Sequence, residues 1–327
     1  MAENLPKSKR TSAERGALTQ RRGRKLVAVL SRKRSLYSTR RIVQAIVERG
    51  HRPIVLDPLR CNMILGGNGP RMLYRGVEVR GIEVAIPRIG ASITEYGLAV
   101  VNHLDMMGIP VLNNSVPIAR SRDKLRCLQL LSKHGLAVPR TVVAGDRSNV
   151  VKLVEEVGGL PAIIKLIRGT QGVGVMLASS MAEVESSLST FGNLGERIVL
   201  QEFIQESKGR DVRALVVGNR VLGAMRRRAK RGEFRSNLHR GGEGIPIELP
   251  REYSQAAIDA TRVIGLQVAG VDMLESSQGP KVMEVNSSPG FKGIENATRK
   301  DIAGMIVDHA LAFAAQHHLK VGQALAR

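Results

Sequence analysis

The sequence predicts an α/β chain, with a parallel sheet in its N-terminal part and an α+β remainder built on antiparallel hairpins. Three stretches carry this reading. In the first, Lys25 to Leu30 (KLVAVL) has the unbroken apolar run of a buried strand, and Arg40 to Arg49 reads as an amphipathic helix with Ile42, Val43, Ile46 and Val47 inward. Gly50 then stops the helix and Pro53 to Leu56 forms a second strand. Strand, helix, glycine stop and strand make a βαβ unit, which requires parallel pairing. In the second, strands Val212 to Val217 and Arg220 to Met225 flank Gly218-Asn219, a two-residue loop suited to a hairpin. The third is another hairpin, joining Val268 to Leu274 with Lys281 to Val285 around Gln278-Gly279-Pro280.

The elements between these landmarks follow from periodicity and punctuation. Val84 to Pro87, a helix over Tyr96 to Met107, and Val111-Leu112 extend the N-terminal unit. No GxGxxG follows the first strand, so a dinucleotide site there is unsupported. Pro117 to Asp123 separates this unit from a helix over Lys124 to Gly135 with Leu125, Leu128 and Leu131 on its apolar face. Strands are expected over PRTVVA from Pro139, over Leu160 to Ile167 and over Ile198 to Phe203, with helices over 150–158 and 181–191. Arg226 to Gly244 is basic and Gly-rich and reads as a loop over a site. Helices over Tyr253 to Ile264 and Asp301 to His318 complete the chain.

Composition narrows the functional classes. The chain has 327 residues, 43% of them hydrophobic, enough for two or three units with cores of their own. No window approaches the ~20 uncharged apolar residues that a membrane helix needs. Cys61 and Cys127 are far apart and in no CxxC pattern, which argues against a disulfide framework or zinc site and points to a reducing compartment, the cytoplasm. The net charge of +21 favours polyanionic or acidic partners. Residues 1 to 25 carry eight Lys/Arg against Glu3 and Glu14; no apolar signal-peptide segment follows Lys7, Lys9 and Arg10, and the stretch before residue 25 reads as a disordered basic arm. Aromatic residues are only 3% and Trp is absent, which argues against stacking platforms for single-stranded nucleic acid.

The sharpest constellation is Asp272, Glu284 and Asn286. Positions 272 and 284 lie symmetrically about Gln278, so an ideal hairpin register sets them face to face, and Asn286 shares a strand face with Glu284. Converging carboxylates are costly without a cation between them, and hard oxygen donors suit magnesium. Lys165 precedes Gly169-Thr170-Gln171-Gly172-Val173-Gly174. A strand lysine beside a Gly-rich loop can hold phosphates, although such loops are also common structural turns. Gln201-Glu202-Phe203, with Asp211 and Arg213 downstream, can bind an adenine edge and a ribose or simply form surface ion pairs. The basic run Arg226-Arg227-Arg228, Lys230, Arg231 and Arg235-Ser236-Asn237 can hold an acidic substrate or a transferring phosphoryl group. An RNA patch, a nuclear-localisation signal or a solvated loop is the alternative for that run.

In this order, SRDKLRCLQLLSKHGLAVPRT, KLIRGTQGVGV, VLQEFI, DVRALVVG, RRAKRGEFRSNLHRGG, AGVDML and VMEVNSSPGF resemble the ATP-grasp superfamily, and within it the RimK family of ribosomal-protein glutamate ligases. The resemblance runs from about residue 26 to residue 310. It implies an N-terminal α/β domain over 25–118, a central ATP-grasp subdomain over 119–203 and a C-terminal one over 204–318, the last two clasping ATP. The arm 1–24 and the tail 319–327 flank them. Lys124 and Lys165 would touch the ATP phosphates, covered by the loop containing Gly172 and Gly174. Glu202 and Phe203 would line the adenine pocket, with Asp211 near the ribose. Arg235, Ser236 and Asn237 would sit at the phosphate end, Arg235 and Asn286 in catalytic positions. Asp272, Glu284 and Asn286 would bind two magnesium or manganese ions. Arg213, Arg227 and Arg228 are candidates for gripping substrate carboxylates.

The implied activity is ATP-dependent carboxylate–amine ligation through an acyl phosphate. It would add L-glutamate to the acidic C-terminus of the sixth small-subunit ribosomal protein or to poly-glutamate. Other acceptors (an amino-acid carrier protein, a cofactor or free glutamate) stay open, as does a non-catalytic ribosome- or RNA-binding protein that kept the fold. No membrane partner and no sequence-specific nucleic-acid contact are expected, and a homo-oligomer such as a tetramer is left open. The basic arm is an addition to the usual family start. Arg168 and Arg226 stand where acidic residues are expected, which makes the mouth of the site more positive.

Overall fold

The structure is a computed structural model that describes residues 23–146, 149–166, 174–193, 198–230 and 242–325. The residues of the expected basic arm before Gly23 lie outside it. The described residues group into two compact units. One draws on residues up to Arg88, Glu95–Leu112 and the chain from Ala310; the other comprises Ile89–Thr94 and Asn113–His309.

The first unit is the expected parallel α/β layer. Strand β1 (Leu26–Leu30) is buried along its length, α1 spans Tyr37–Glu48 and β2 spans Arg52–Leu56. Gly50, with φ 75°, takes the left-handed position just past the α1 cap, which is why the helix stops there. Ile42, Val43 and Ile46 point inward as expected, but Val47 is 54% exposed and Ala45 is buried instead. At 100° per residue Val47 lies about 140° round the helix from Ile42, off the buried stripe. The chain continues through β3 (Cys61–Ile64), β4 (Arg71–Tyr74) and β5 (Val77–Glu78), a small antiparallel sheet that the sequence reading passed over. Strand β6 (Ile82–Pro87) then joins β1 in parallel, giving the order β2-β1-β6. Helix α2 spans Thr94–Met106, and Val111 adds a single parallel bridge to Ala85 rather than a full strand.

In the second unit the segment read as a separator is a helix, α3 (Ser115–Arg122). Pro117 fits because amides of a first helical turn have no intrahelical acceptor. Helix α4 (Lys124–Lys133) starts at once, capped by the Asp123 side chain, which accepts from Arg126 N at 3.0 Å. The buried stripe of α4 is Cys127 and Leu131, with Leu130 beside them, instead of Leu125 and Leu128. The elements β7 (Thr141–Ala144), α5 (Val150–Glu156), β8 (Ala162–Leu166), β9 (Val175–Ala178), α6 (Met181–Asn193) and β10 (Ile198–Glu202) follow. Their strands form an antiparallel sheet in the order β7-β10-β8-β9, packed on α5 and α6 through Val154, Val184 and Leu188.

A second antiparallel sheet carries the hairpins. It comprises β11 (Arg210–Val217), β12 (Arg220–Arg228), β13 (Glu243–Pro246), β14 (Val268–Ser276) and β15 (Gly279–Asn286), in the order β13-β12-β11-β14-β15. Helix α7 (Arg251–Ile264) precedes β14, and α8 (Lys292–Thr298) and α9 (Ile302–Leu325) end the chain. Arg226–Arg228 belong to β12 instead of a loop, while 231–241 lie outside the described residues. Alternate residues Val212, Ala214, Val216, Val271, Met273, Val282 and Val285 pack on α4 and α7. Both Cys61 and Cys127 are buried free thiols, and burial pushes each up to about 12, out of the reactive range.

Chain direction after β15 depends on Gly270. A Cβ there would sit 2.7 Å from Cβ of Pro289, so only glycine lets the β15 exit fold back over β14. Gly270→Ala is expected to lower stability by about 1–3 kcal/mol through overpacking, whereas Gly290→Ala, which meets nothing within 4 Å, should stay within about 0.5 kcal/mol. Urea unfolding midpoints of the two variants check this.

Candidate functional site: a carboxylate and arginine face on the second sheet

The face of the second sheet turned away from α4 and α7 carries Asp211, Arg213, Arg227, Asp272, Glu284 and Asn286. Pairing sets Arg213 opposite Asp272 and Asp272 opposite Glu284, a row across β11, β14 and β15, with Asp211 opposite Arg227 in the adjoining row. The predicted juxtaposition of positions 272 and 284 is present, but the turn does not produce it alone. The turn closes at Ser276↔Gly279, and its register carried straight on would set Met283 opposite Asp272. A bulge at Met283 absorbs one residue and brings Glu284 into place. The same bulge lets Val282 and Val285, three apart, share the helix-packed face.

Asp272 is 2% exposed. Arg213 donates Nε to its Oδ1 at 2.6 Å and Nη2 to its Oδ2 at 2.5 Å, and Nη2 of Arg227 lies 3.0 Å from Oδ2. Burial acts to raise the Asp272 carboxyl, but the two guanidinium groups outweigh it and hold the group below the usual carboxylate range. Glu284 accepts no hydrogen bond from a described residue. Burial, and then the charge of Asp272, push its carboxyl up, against the pull of Lys124, Arg213 and Lys165. The amide Nδ2 of Asn286 is buried without a partner.

This donor set fits a hard divalent cation. Three donors occupy the roughly four lone-pair positions of Asp272, Glu284 is open, and the Asn286 amide supplies a neutral oxygen. Among the described residues no cluster of three or more His, Cys, Asp or Glu forms a metal site, so this mixed trio is the candidate.

The charges of two lysines, Lys124 and Lys165, act on Glu284. Lys165, on β8, donates Nζ to Gln201 Oε1 at 2.6 Å, and Gln201 donates Nε2 to Thr141 Oγ1 at 2.9 Å. Burial pushes the Lys165 ammonium down to about 8, with Glu284 opposing and Lys124 adding to the shift. Lys124 is the first residue of α4. Gly174 has φ 74°, and its carbonyl accepts from Leu166 N at 3.0 Å. Gly172, Arg235, Ser236 and Asn237 lie outside the described residues.

Other expected residues are engaged differently from the expectation. Glu202 accepts from Lys281 Nζ at 2.9 and 3.0 Å and from Arg140 N at 3.0 Å; Phe203, just past β10, is half-buried. Asp211, expected near a ribose, is 3% exposed, and both its oxygens accept from Arg227, at 2.5 and 2.8 Å. Arg213 and Arg227, expected to grip a substrate, are thus engaged with carboxylates of their own sheet. Strand alternation turns Arg226 and Arg228 away from this face. Arg226 pairs with Glu275 at 2.6 and 3.1 Å, and Arg228 is exposed. Sequence reasoning missed Lys281 and Arg122 as parts of this region, and it named Gln201 only as part of the Gln201-Glu202-Phe203 strand end, not as the partner of Lys165. The period-2 pattern of charges in DVR and RRR was the available signal for the Arg–Asp pairs.

Removing Arg227 leaves two buried carboxylates short of a partner. Arg227→Met is expected to cost about 3–5 kcal/mol of stability, and Arg228→Met less than about 0.5 kcal/mol. Denaturant titration of both variants reads the contrast.

Two family models match the chain: a RimK PreATP-grasp domain over residues 26–118 and a RimK-like ATP-grasp domain over residues 121–310. A protein of Vibrio parahaemolyticus, named probable alpha-L-glutamate ligase, is 53% identical over 282 residues, 86% of this chain and 94% of that protein. One of Hydrogenovibrio crunogenus with the same name is 50% identical over 294 residues, 90% of this chain and 98% of that one. Among solved structures, the ATP-grasp ligase PsnB complexed with minimal precursor superposes with TM-score 0.71 at 23% identity, over 89% of this chain and 99% of that one. D-alanine–D-alanine ligase from Bacillus anthracis gives 0.66 at 18% identity, over 90% and 98%. The fold, the two matched domains and the close relatives agree: the chain belongs to the RimK family of ATP-grasp ligases.

Proposed function

We propose that this ligase uses ATP to join the amine of L-glutamate to a carboxylate of an acidic acceptor. The observation that carries the reading is the facing pair Asp272 and Glu284, with the charges of Lys124 and Lys165 acting on Glu284. The names of the half-identical relatives support glutamate as the amino acid.

On this reading the acceptor carboxylate attacks the γ-phosphate, the bond to ADP breaks, and an acyl phosphate forms. The glutamate amine attacks the acyl carbon, phosphate leaves, and the nitrogen loses its proton as the amide forms. Lys124 and Lys165 hold phosphate oxygens, and Glu202 and Phe203 border the base. Asp272, Glu284 and Asn286 hold magnesium or manganese, two ions in the full site. When bound, the metal neutralises charge on the transferring group. No protein nucleophile is needed, since positioning and electrostatics lower the barrier. We assign 119–203 and 204–318 to the two parts that clasp the nucleotide, and the cytoplasm as the compartment.

The proposed acceptor is the acidic C-terminus of the sixth small-subunit ribosomal protein or a growing poly-glutamate chain, for which the +21 net charge is suited. Mass spectrometry of ribosomal proteins and soluble products after incubation with ATP and glutamate tests it. Glutamate-mass increments on one ribosomal protein support the acceptor. Increments on another molecule move the assignment there, and the absence of glutamate-dependent ADP release rejects the ligase reading.

Glu284→Ala is expected to abolish metal-dependent ADP release while circular dichroism stays unchanged; full turnover in that variant would sink the site. Lys165 gives a pH signature. Its ammonium titrates near 8 in the free protein, and bound phosphates raise that value, so nucleotide affinity is fully present below pH 8. Above pH 8 the free lysine is neutral and binding takes up a proton, so affinity falls by up to about tenfold per pH unit. Equilibrium binding of ATP from pH 7 to 9.5 reads the slope, and Lys165→Arg should flatten it.

A further inference from the structure

We propose that Arg122 is the recognition residue for the carboxylate beside the reacting amine of the incoming amino acid. The proposal rests on the glutamate-ligase reading and assigns a substrate group to a side chain outside the metal trio and the two lysines.

Arg122 is the last residue of α3, and its position is fixed by its neighbour. Ser121 Oγ donates to Val285 O at 2.8 Å and accepts from Ser287 N at 3.1 Å, which joins the end of α3 to the end of β15. Asn113 reinforces this junction: its Nδ2 donates to Val268 O at 2.7 Å and to Ser287 O at 3.0 Å. The Arg122 guanidinium therefore sits beside the strand end that carries Glu284 and Asn286, and it feels the Glu284 charge. Its Nη2 donates to Ile89 O, while its Nε is buried with no partner. Burial draws the group below the usual arginine range, with Glu284 countering.

A guanidinium offers five donors in a planar fork, and a partly buried cation whose Nε is cut off from water and has no close counter-ion is costly. Arg122 has a backbone carbonyl and a more distant carboxylate, which do not fill that fork. Two more buried donors without partners, Asn286 Nδ2 and Ser287 Oγ, lie on the strand end to which Ser121 ties α3. Unserved donors call for an anion rich in acceptor oxygens. The phosphates are served by Lys124 and Lys165, which act as point charges, whereas a planar fork matches a planar carboxylate in a bidentate pair. An amine that attacks an acyl carbon next to the metal trio brings its own α-carboxylate to this neighbourhood.

The test is equilibrium binding of L-glutamate to the full chain in the presence of magnesium and a non-hydrolysable ATP analogue. Arg122→Gln is expected to weaken glutamate binding about 10- to 100-fold, the span of a lost charge-assisted pair. Arg122→Lys should recover part of the loss, because it keeps the charge but not the fork. Affinity for the ATP analogue should change less than twofold. A ligand-side arm needs no variant: isoglutamine, with the α-carboxylate amidated, should bind the unmodified protein more weakly than glutamine does. Unchanged glutamate affinity in Arg122→Gln, an equal loss of nucleotide affinity, or tight binding of isoglutamine overturns the proposal alone. Unmodified protein that binds the nucleotide but neither glutamate nor its amides overturns the glutamate reading itself, and this proposal with it.

Discussion

A buried carboxylate is tolerable only when cations hold it, and Asp272 is the point where this constraint governs the second sheet. The Arg213 and Arg227 guanidinium groups converge on it, and Arg227 also binds both oxygens of Asp211. Four charges on three adjacent strands thus interlock β12, β11 and β14. The apolar face opposite supplies the hydrophobic stabilisation. The polar face supplies specificity of register, because a slip of one residue on any of these strands would bury an unpaired charge.

Glu284 stands in a different relation to that lattice. It lies in the same row as Arg213 and Asp272, yet it is reached only after the chain inserts Met283 as a bulge. The neighbouring hairpin uses the same device: Leu222 is bulged between Leu215↔Gly223 and Val216↔Val221, and Lys300 Nζ donates to its carbonyl at 3.0 Å. Each bulge lies between a tight turn and a row of charges. Turn chemistry and charge pairing therefore follow separate registers, and one residue per hairpin reconciles them. Bulges of this kind re-aim side chains near functional sites.

Much of this architecture was legible in the sequence, and the exceptions have identifiable causes. The βαβ start was readable because an apolar run, a helical period and Gly50 agree with one another. The facing of positions 272 and 284 was readable because acids interrupt apolar strands there. The symmetric count about Gln278 reached the right pair although the turn centre lies between Ser277 and Gln278. Helix α3 was hidden by Pro117, which reads as a breaker unless its place in the first turn is known. The β3–β5 sheet was hidden by short strands and a glycine-rich connection. The partnerships Lys281–Glu202 and Lys165–Gln201 join residues 79 and 36 positions apart, and no local period encodes such contacts. Arg226–Arg228 looked like a loop because three consecutive arginines suggest solvent, whereas two of the three are drawn into the sheet by acids across the strands.

The balance of charge around Glu284 connects these observations to chemistry. Lys124, Lys165, Arg122 and Arg213 all act on it, and Arg227 joins Arg213 at Asp272, so the cations outnumber the two carboxylates. Left to itself this surplus is unfavourable: Lys165 is driven toward its neutral form and Arg122 is drawn below its ordinary range, both first by burial. If the proposed function holds, these cations, held in place by α3, β8 and the second sheet, are preorganised for anions that arrive later. A triphosphate and a substrate carboxylate would relieve both strains without moving the scaffold, because the lattice at Asp272 already fixes where the charges stand. Electrostatic preorganisation of this kind acts before any chemistry and requires no reorganisation during it. On the proposed reading, the stability given up in burying Lys165 and Arg122 is recovered as binding energy for the nucleotide and the amino acid.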